Sequence, residues 1–348
     1  MKKGINSFGD RLLQSEDVNV LILTITFVAV LVVLSIVLGG TFLSAANFQS
    51  MGFQIPEFGL LSLAMSLCML AGGIDLSIVG NANLSSVLAA YTLLALSENG
   101  GNPIIAIIVA IVVGLVVGVG CGLLNGLLIA KVSILPILAT LSTMILYDGI
   151  AMALTDGKTV LGFPLEFSKM AIAKAGGIPG VFIVFVVVAI IISLVLTRTF
   201  FGKNIYLYGA NKTVSLFSGI RVNSLILKTY AISGLFAGIA GLMLMARVNS
   251  AKVGYGDTYL LQTMLVSILG GVSPTGGKGK VLGVFLGILV LQMLQSGFTL
   301  LGVEPYFRNF IWGVVLIGVM IANFYIERSK KKIKRPKATA KEAQQPVA

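Results

Sequence analysis

Residues 103–130 read PIIAIIVAIVVGLVVGVGCGLLNGLLIA and contain no charged side chain. As an α-helix, at 1.5 Å per residue, this run would be about 40 Å long, more than the roughly 30 Å hydrocarbon core of a bilayer. A helix on the outside of a water-soluble domain needs a polar face, and this run has none. The stretch therefore predicts a helix that crosses a membrane.

Similar apolar runs occur on both sides of this stretch. Apolar residues make up 57% of the 348-residue chain and charged residues only 11%, whereas soluble domains average about 25% charged. Ten hydrophobic segments lie at residues 19–43, 55–71, 79–97, 103–130, 131–154, 179–197, 226–246, 257–272, 281–301 and 306–326. The sequence therefore predicts an all-α integral membrane protein with about ten transmembrane helices. Because segment 79–97 carries polar side chains and segment 257–272 is short, we expect broken or re-entrant elements there.

The basic residues predict how the chain is oriented. An even number of spans places both termini on one side, and most of the 25 lysine and arginine residues lie on that side. Since lysine and arginine accumulate in cytoplasmic loops, we expect both termini in the cytoplasm. Three regions follow: a cytoplasmic N-terminal segment at 1–18, a transmembrane domain at 19–326 and a basic cytoplasmic tail at 327–348. The tail is expected to be disordered and attracted to anionic membrane lipid.

The composition also argues against several kinds of function. The net charge is +12, but the basic residues sit at segment ends and in the tail rather than in an aromatic-rich groove, so we expect no nucleic-acid partner. Cys68 and Cys121 lie inside apolar runs and the chain has no histidine, so neither a metal site nor another cofactor is expected. The residues form no hydrolase or redox constellation, which argues against an enzyme.

The most polar interruption of an apolar run is GGIDLS at residues 72–77. An aspartate near the bilayer centre costs about 2.5–3.5 kcal/mol on insertion scales, so it needs a role. In one interpretation Asp75 caps the following helix by accepting backbone N–H bonds, or lies in interfacial water. In the other, Asp75 directly contacts the path of a polar solute.

Two connections on the inner side also carry glycine and polar residues. The sequence SPTGGKGK at 273–280 looks like a phosphate-binding loop but lacks its glycine spacing and its hydroxyl residue, so it predicts a tight turn. The connection at 198–228 is the longest on this side, and helical spacing predicts a short amphipathic helix at 211–219. Such a helix either lies on lipid or docks a cytoplasmic partner.

Two further patterns concern the membrane-spanning segments. Glycines four residues apart predict close helix packing; they are Gly114, Gly118, Gly122 and Gly126, then Gly234 and Gly238, then Gly283 and Gly287. Membrane-embedded carboxylates are few: Asp75 and Asp148, with Glu57 and Asp257 as further candidates. Ion-driven carriers usually need such groups for the coupling ion, so an ion-coupled carrier is disfavoured.

The motifs together resemble the inner-membrane permeases of bacterial ABC importers for monosaccharides, of the ribose, galactose, xylose and arabinose type. The resemblance runs over nearly the whole chain, and its most specific parts are residues 72–77, 125–141, 199–220 and 269–279. It implies a multi-pass protein of the bacterial plasma membrane. Such a subunit moves a monosaccharide by alternating access, while separate ATPase subunits hydrolyse ATP.

The resemblance also implies partners and residue roles. It implies that Asp75, Ser77, Asn81 and Asn83 lie at or near the translocation path. The partners are cytoplasmic ATPase subunits, an extracytoplasmic solute-binding protein that delivers the sugar, and a second permease copy or homologue. The residues implied in ATPase coupling are Gly202, Asn204, Tyr206, Gly209, Asn211, Ser218, Gly219, Ile220 and Arg221, and an inner turn is formed by Gly276, Gly277, Lys278 and Gly279.

Two departures from the family pattern leave details open. Residues 81–83 read NAN where relatives more often carry small or hydroxyl residues, and residues 212–215 read KTVS where relatives usually show an Ala-Ala pair. The first bears on the substrate and the second on ATPase docking. A permease for branched-chain amino acids or another small metabolite stays open, as does an ion-coupled carrier that works alone. Hydroxyl and amide side chains on the path favour a neutral polyol over a charged solute.

Overall fold

The computed structural model describes residues 16–98 and 101–334, with most side chains described between residues 20 and 321. The long helices are α1 (Glu16–Leu38), α2 (Ala45–Leu70), α3 (Ile78–Glu98), α4 (Pro103–Ala130), α5 (Pro136–Thr155), α7 (Gly180–Arg198), α10 (Val222–Val248), α12 (Val281–Leu300) and α13 (Pro305–Lys334). The short elements are α6 (Leu165–Ala171), the strands β1 (Lys174–Ala175) and β2 (Ile178–Pro179), α8 (Phe200–Ala210), α9 (Lys212–Phe217) and α11 (Tyr259–Leu269). The predicted all-α fold is confirmed over these residues.

Eight helices in the described part of the chain are long and apolar enough to cross a membrane, namely α1, α2, α3, α4, α5, α7, α10 and α12. The apolar helix α11 and the apolar part of α13 correspond to the other two predicted segments. Because α11 has 11 residues, it is about 17 Å long and reaches across only about half of the hydrocarbon core. A partial span was expected there. Segment 79–97 instead forms the continuous helix α3, and the break lies in front of it.

The structure describes only part of the two predicted terminal regions. Helix α13 continues to Lys334, so the predicted boundary at residue 327 falls inside a helix. The predicted N-terminal segment at 1–18 lies mostly outside the described residues, and so does the tail from residue 335 onward.

Helix α2 forms the centre of the bundle. Of its membrane-spanning window 89% is buried, compared with 11% for α1 and 22% for α7. The difference follows from composition, since the second half of α2 alternates serine and alanine with leucine and methionine, whereas α1 and α7 are rich in valine, isoleucine and leucine. Small and flexible side chains allow α2 to be packed on all sides, while branched apolar side chains suit contact with lipid.

Glycines bring α4 and α10 into backbone contact. A Cβ atom at Gly118 would lie 2.7 Å from the carbonyl oxygen of Gly234 and 2.9 Å from the Cα of Gly238. A Cβ atom at Gly122 would likewise overlap the backbone of Tyr230 and would lie 3.0 Å from the Cα of Gly234. The predicted packing role of the four-residue glycine spacing is therefore confirmed for this helix pair.

The connections lie at two faces of the bundle. The face formed by residues 71–77, 131–135, 199–221 and 270–280 is called the basic face below. On the opposite face the α5–α7 connection contacts the α10–α11 connection. The contact is an isolated antiparallel β-bridge between Val160 and Ala251.

The connection at 198–228 is more helical than predicted. Helix α8 precedes the predicted short helix, which is confirmed as α9 at Lys212–Phe217. Both helices are capped by side chains that accept backbone N–H bonds, Thr199 from Gly202 at 3.3 Å and Asn211 from Val214 at 3.0 Å. Such caps supply the hydrogen bonds that helix ends lack, so this connection forms a structured platform on the basic face.

Candidate functional site

Residues 71–77 break the helical path between α2 and α3 and carry the buried carboxylate of Asp75. Ser77 donates to Oδ1 of Asp75 from its hydroxyl at 2.7 Å and from its backbone N–H at 3.1 Å. The hydroxyl of Ser233, on α10, donates to Oδ2 at 2.8 Å. The side chain of Asp75 is buried, since the residue is 2% exposed. Three donors thus satisfy a carboxylate that would otherwise be costly to bury.

The hydrogen bonds continue from Ser77 into two more helices. The side-chain amide of Asn125, on α4, donates to the Ser77 hydroxyl at 2.7 Å, and its carbonyl oxygen accepts from the Thr143 hydroxyl of α5 at 2.6 Å. Next to them the Thr140 hydroxyl accepts from the backbone N–H of Leu76 at 3.1 Å. A polar network of three helices and the 71–77 connection therefore lies toward the basic face.

The four predicted path residues do not meet at one point. Asp75 and Ser77 share the network, whereas Asn81 donates to the backbone carbonyl of Gly118 at 3.0 Å and Asn83 donates to the Asp148 carboxylate at 3.2 Å. Each of the four is at most 2% exposed. In this conformation they join helices, and a path lined by them would have to open by movement of α3, α4 and α5.

The platform residues predicted on the basic face have distinct positions. The Tyr206 hydroxyl donates to the carbonyl of Gly279 at 2.8 Å, and Ile220 packs against the core. The Ser218 hydroxyl donates to the Val214 carbonyl at 2.8 Å. Gly202 packs against the backbone of Leu196. Asn204 is half-buried, and Arg221 is exposed where α10 begins.

The platform presents apolar side chains to its surroundings. Phe217 is 89% exposed and Phe200 is 83% exposed, and Val214, Leu216 and Leu207 are also exposed. Lys212 lies with its ammonium 5.8 Å from the ring centre of Tyr208, and burial raises the pKa of the Tyr208 phenol. An exposed apolar surface next to cations suits either lipid headgroups or a docked protein.

The 273–280 turn connects this platform to the broken connection. The backbone N–H of Gly277 donates to the carbonyl of Leu70 at 2.9 Å, beside Gly209 of α8. Gly276, Gly277 and Gly279 all have positive φ, at 91°, 72° and 142°, which other residues rarely adopt. Lys278 is exposed. The predicted tight turn is confirmed, and its glycines allow three backbones to meet.

A charged cluster on the other half of the bundle was not predicted. Arg247, the next-to-last residue of α10, forms an ion pair with Glu57 of α2, and the Tyr259 hydroxyl donates to the same carboxylate at 2.8 Å. The sequence signal was an acid in the middle of an apolar run, noted only as a candidate embedded acid. Its partner lies 190 positions away, beyond any local pattern.

Over the described residues there is no group of three or more cysteine, aspartate or glutamate side chains that fits a metal ion.

Most of the chain matches a known protein family. Residues 47–320 match the family described as the permease component of the branched-chain amino acid transport system. The chain belongs to this permease family. The permease is therefore a multi-pass membrane protein and a transporter component rather than an enzyme.

Curated relatives of the permease carry names of sugar transporters. It is 35% identical over 290 residues to the ribose import permease protein RbsC of Bacillus subtilis, which covers 83% of this chain and 88% of the relative. It is 30% identical over 287 residues to the D-allose transport system permease protein AlsC of Escherichia coli, covering 82% and 86%. It is 31% identical over 305 residues to the L-arabinose transport system permease protein AraH of Escherichia coli, covering 88% and 90%. No solved structure matches the permease.

Gly219, which links α9 to α10, allows a prediction about the platform. Its φ is +74° and a Cβ atom would meet nothing within 4 Å, so only backbone conformation limits substitution. We expect Gly219→Val to lower transport several-fold by misplacing α9, at a cost of about 1–2 kcal/mol. Gly219→Asn should retain transport, because asparagine adopts positive φ more readily.

The measurement is transport activity at equal amounts of inserted permease. Equal activity of the valine and asparagine variants would mean that the angle between α9 and α10 has no part in function.

Proposed function

We propose that this permease is the membrane-spanning subunit of an ATP-driven importer of the ATP-binding-cassette type, and that its solute is a monosaccharide. The sugar assignment is supported by relatives named for ribose, D-allose and L-arabinose. The polar network also favours it, because Asp75 is its single carboxylate and the side chains of Asn125, Thr140 and Thr143 suit the hydroxyl groups of a neutral polyol.

The observation that carries the proposal is the contact between the platform and the broken connection. The Gly277 N–H donates to the Leu70 carbonyl, and Gly209 packs against both groups. A partner that pushes on the exposed α8–α9 surface would therefore move the end of α2 and the residues that follow it. Rigid backbone contact of this kind is suited to converting ATPase closure into alternating access.

The proposal includes the partners of the permease. Cytoplasmic ATPase subunits dock on α8 and α9, a solute-binding protein delivers the sugar at the opposite face, and a second permease copy or homologue completes the path. The basic C-terminal residues from 327 onward associate with anionic lipid of the bacterial plasma membrane.

The test of the solute is uptake by the purified complex of permease, ATPase subunits and delivery protein in proteoliposomes. We expect ATP-dependent accumulation of at least one of D-ribose, D-allose and L-arabinose. Accumulation of leucine in place of sugars would instead support the amino-acid permease that the family description names. Accumulation by the permease alone, driven by an ion gradient, would exclude ATP coupling.

The orientation gives a separate prediction. In a chain with Cys68→Ala and Cys121→Ala, single cysteines are placed at Phe217, which is 89% exposed on the basic face, and at Ile172, which is 64% exposed on the opposite face. If both termini are cytoplasmic, a membrane-impermeant maleimide should modify Ile172→Cys in intact cells and Phe217→Cys only after permeabilisation. The reverse pattern would invert the orientation and remove the proposed docking site from the cytoplasm.

A further inference from the structure

The ion pair of Glu57 and Arg247 joins the middle of α2 to the end of α10. Glu57 is near the middle of the 26-residue helix α2 and is 1% exposed. A charge at such a depth is costly unless it is paired or faces water. The carboxylate is fully engaged, because it accepts from Nε of Arg247 at 3.1 Å, from Nη2 of the same side chain, and from the Tyr259 hydroxyl.

The guanidinium, by contrast, is only partly engaged. The side chain of Arg247 is 32% exposed. Its Nε and Nη2 groups donate to Glu57, whereas its Nη1 group has no hydrogen bond among the described residues. Contact between free N–H donors and lipid would be expensive. Helix α10 ends one residue later, at Val248, where the chain turns toward the opposite face. The exposed part of the Arg247 side chain therefore lies at the end of α10, near that face.

Gln262, on α11, is a second polar residue with a group that lacks a partner. Gln262 is 3% exposed and its carbonyl oxygen Oε1 is buried without a hydrogen bond. Residues three apart lie on the same side of a helix, so Gln262 and Tyr259 share one side of α11. This part of the bundle thus holds unused donors on Arg247 and an unused acceptor on Gln262. Together they match the chemistry of a sugar hydroxyl, which both accepts and donates.

A structural role alone explains the cluster poorly. Replacing a buried ion pair by apolar side chains is often neutral or stabilising, so joining α2 to α10 does not require charge. A clamp would also have no need for a guanidinium that is partly exposed.

We infer that Arg247, held in place by Glu57 and Tyr259, donates hydrogen bonds to hydroxyl groups of the transported sugar where the path opens on the opposite face. The inference rests on the proposed function and adds a specificity-determining residue to it. Because Glu57 balances the charge of Arg247, the site suits a neutral polyol better than an anion.

The test compares two pairs of substitutions in the reconstituted complex. Arg247→Met with Glu57→Gln removes both charges together and leaves neither unpaired. The matched control, Gln54→Leu with Gln292→Leu, removes a hydrogen bond of 3.1 Å that joins α2 to α12 one turn away from Glu57. The measured quantity is sugar accumulated per ATP hydrolysed, with whichever of D-ribose, D-allose and L-arabinose the wild type accumulates.

We expect the ratio to fall about tenfold or more in the first pair, as for loss of a hydrogen bond to a charged group, and to stay within about twofold in the control. Monodeoxy analogues of the sugar should be discriminated less by the first pair than by wild type. An unchanged ratio and unchanged discrimination would overturn the inference. If the wild type accumulates none of the three sugars, the proposed function fails instead.

A second measurement does not depend on how fast a variant accumulates sugar. Arg247→Cys, with Glu57→Gln, Cys68→Ala and Cys121→Ala, is treated with a membrane-impermeant maleimide from outside. We expect modification, and we expect delivery protein loaded with the accumulated sugar to slow it when ATP turnover is running. Absence of modification from outside, or modification that the sugar does not slow, would overturn the inference.

Discussion

Replacing Gly209 by alanine should abolish ATP-coupled transport while leaving membrane insertion intact. A Cβ atom at this position would overlap both the carbonyl oxygen of Leu70 and the backbone nitrogen of Gly277. These two atoms are the acceptor and the donor of one hydrogen bond, 2.9 Å long. The methyl group would therefore separate α8 from the end of α2 and break the bond that joins the turn to α2.

The expected size of this effect follows from the rigidity of the atoms involved. Overpacking typically costs about 1–3 kcal/mol, and here backbone rather than side chains would have to yield. We expect uptake by the reconstituted complex to fall to background. ATP hydrolysis should continue without sugar accumulation if the ATPase subunits still bind.

Gly120→Ala on α4 is the control for Gly209→Ala, because a Cβ atom at Gly120 meets nothing within 4 Å. Both variants should be inserted at wild-type levels. Normal uptake by Gly209→Ala would show that the contact between α8, the turn and α2 is not used in coupling.

Gly209 also illustrates what local sequence cannot predict. The stretch containing Tyr206 and Gly209 was interpreted as a connection, since glycine and polar residues usually mark loops. In the structure this glycine lies in α8 and is needed for an approach to α2, far away in sequence. The spans themselves were predictable, because the length and apolarity of a membrane helix are local properties.

The polar site was predictable in part for the same reason. Asp75 and Ser77 are two residues apart, so their contact follows from the motif itself. Asn125, Thr143 and Ser233 belong to three other helices, and their meeting depends on the rotation and register of those helices. Close glycine spacing indicated that α4 and α10 would pack closely, but it did not indicate which polar side chains would face each other.

Replacing Asp75 by alanine should destabilise the permease strongly. The hydroxyl and backbone N–H of Ser77 and the hydroxyl of Ser233 would lose their acceptor, in a place where the side chain is 2% exposed. Each buried donor left without a partner costs about 1–3 kcal/mol. The loss is large against a typical stability of about 5–15 kcal/mol. Thermal unfolding of the purified permease in detergent should therefore occur at a much lower temperature.

Asp75→Asn separates the two interpretations of this residue. An asparagine retains the oxygen that accepts from Ser77, and its amide can donate to Ser233, because a serine hydroxyl accepts as well as donates. If Asp75 serves to hold the 71–77 connection, Asp75→Asn should keep a nearly wild-type unfolding temperature and uptake within about twofold, the loss of one neutral bond being worth about 1 kcal/mol. If the negative charge of Asp75 instead acts on the path, the same variant should fold normally and fail to transport. The three satisfied hydrogen bonds favour the first outcome, since a carboxylate already engaged on both oxygens has little capacity left for a passing sugar.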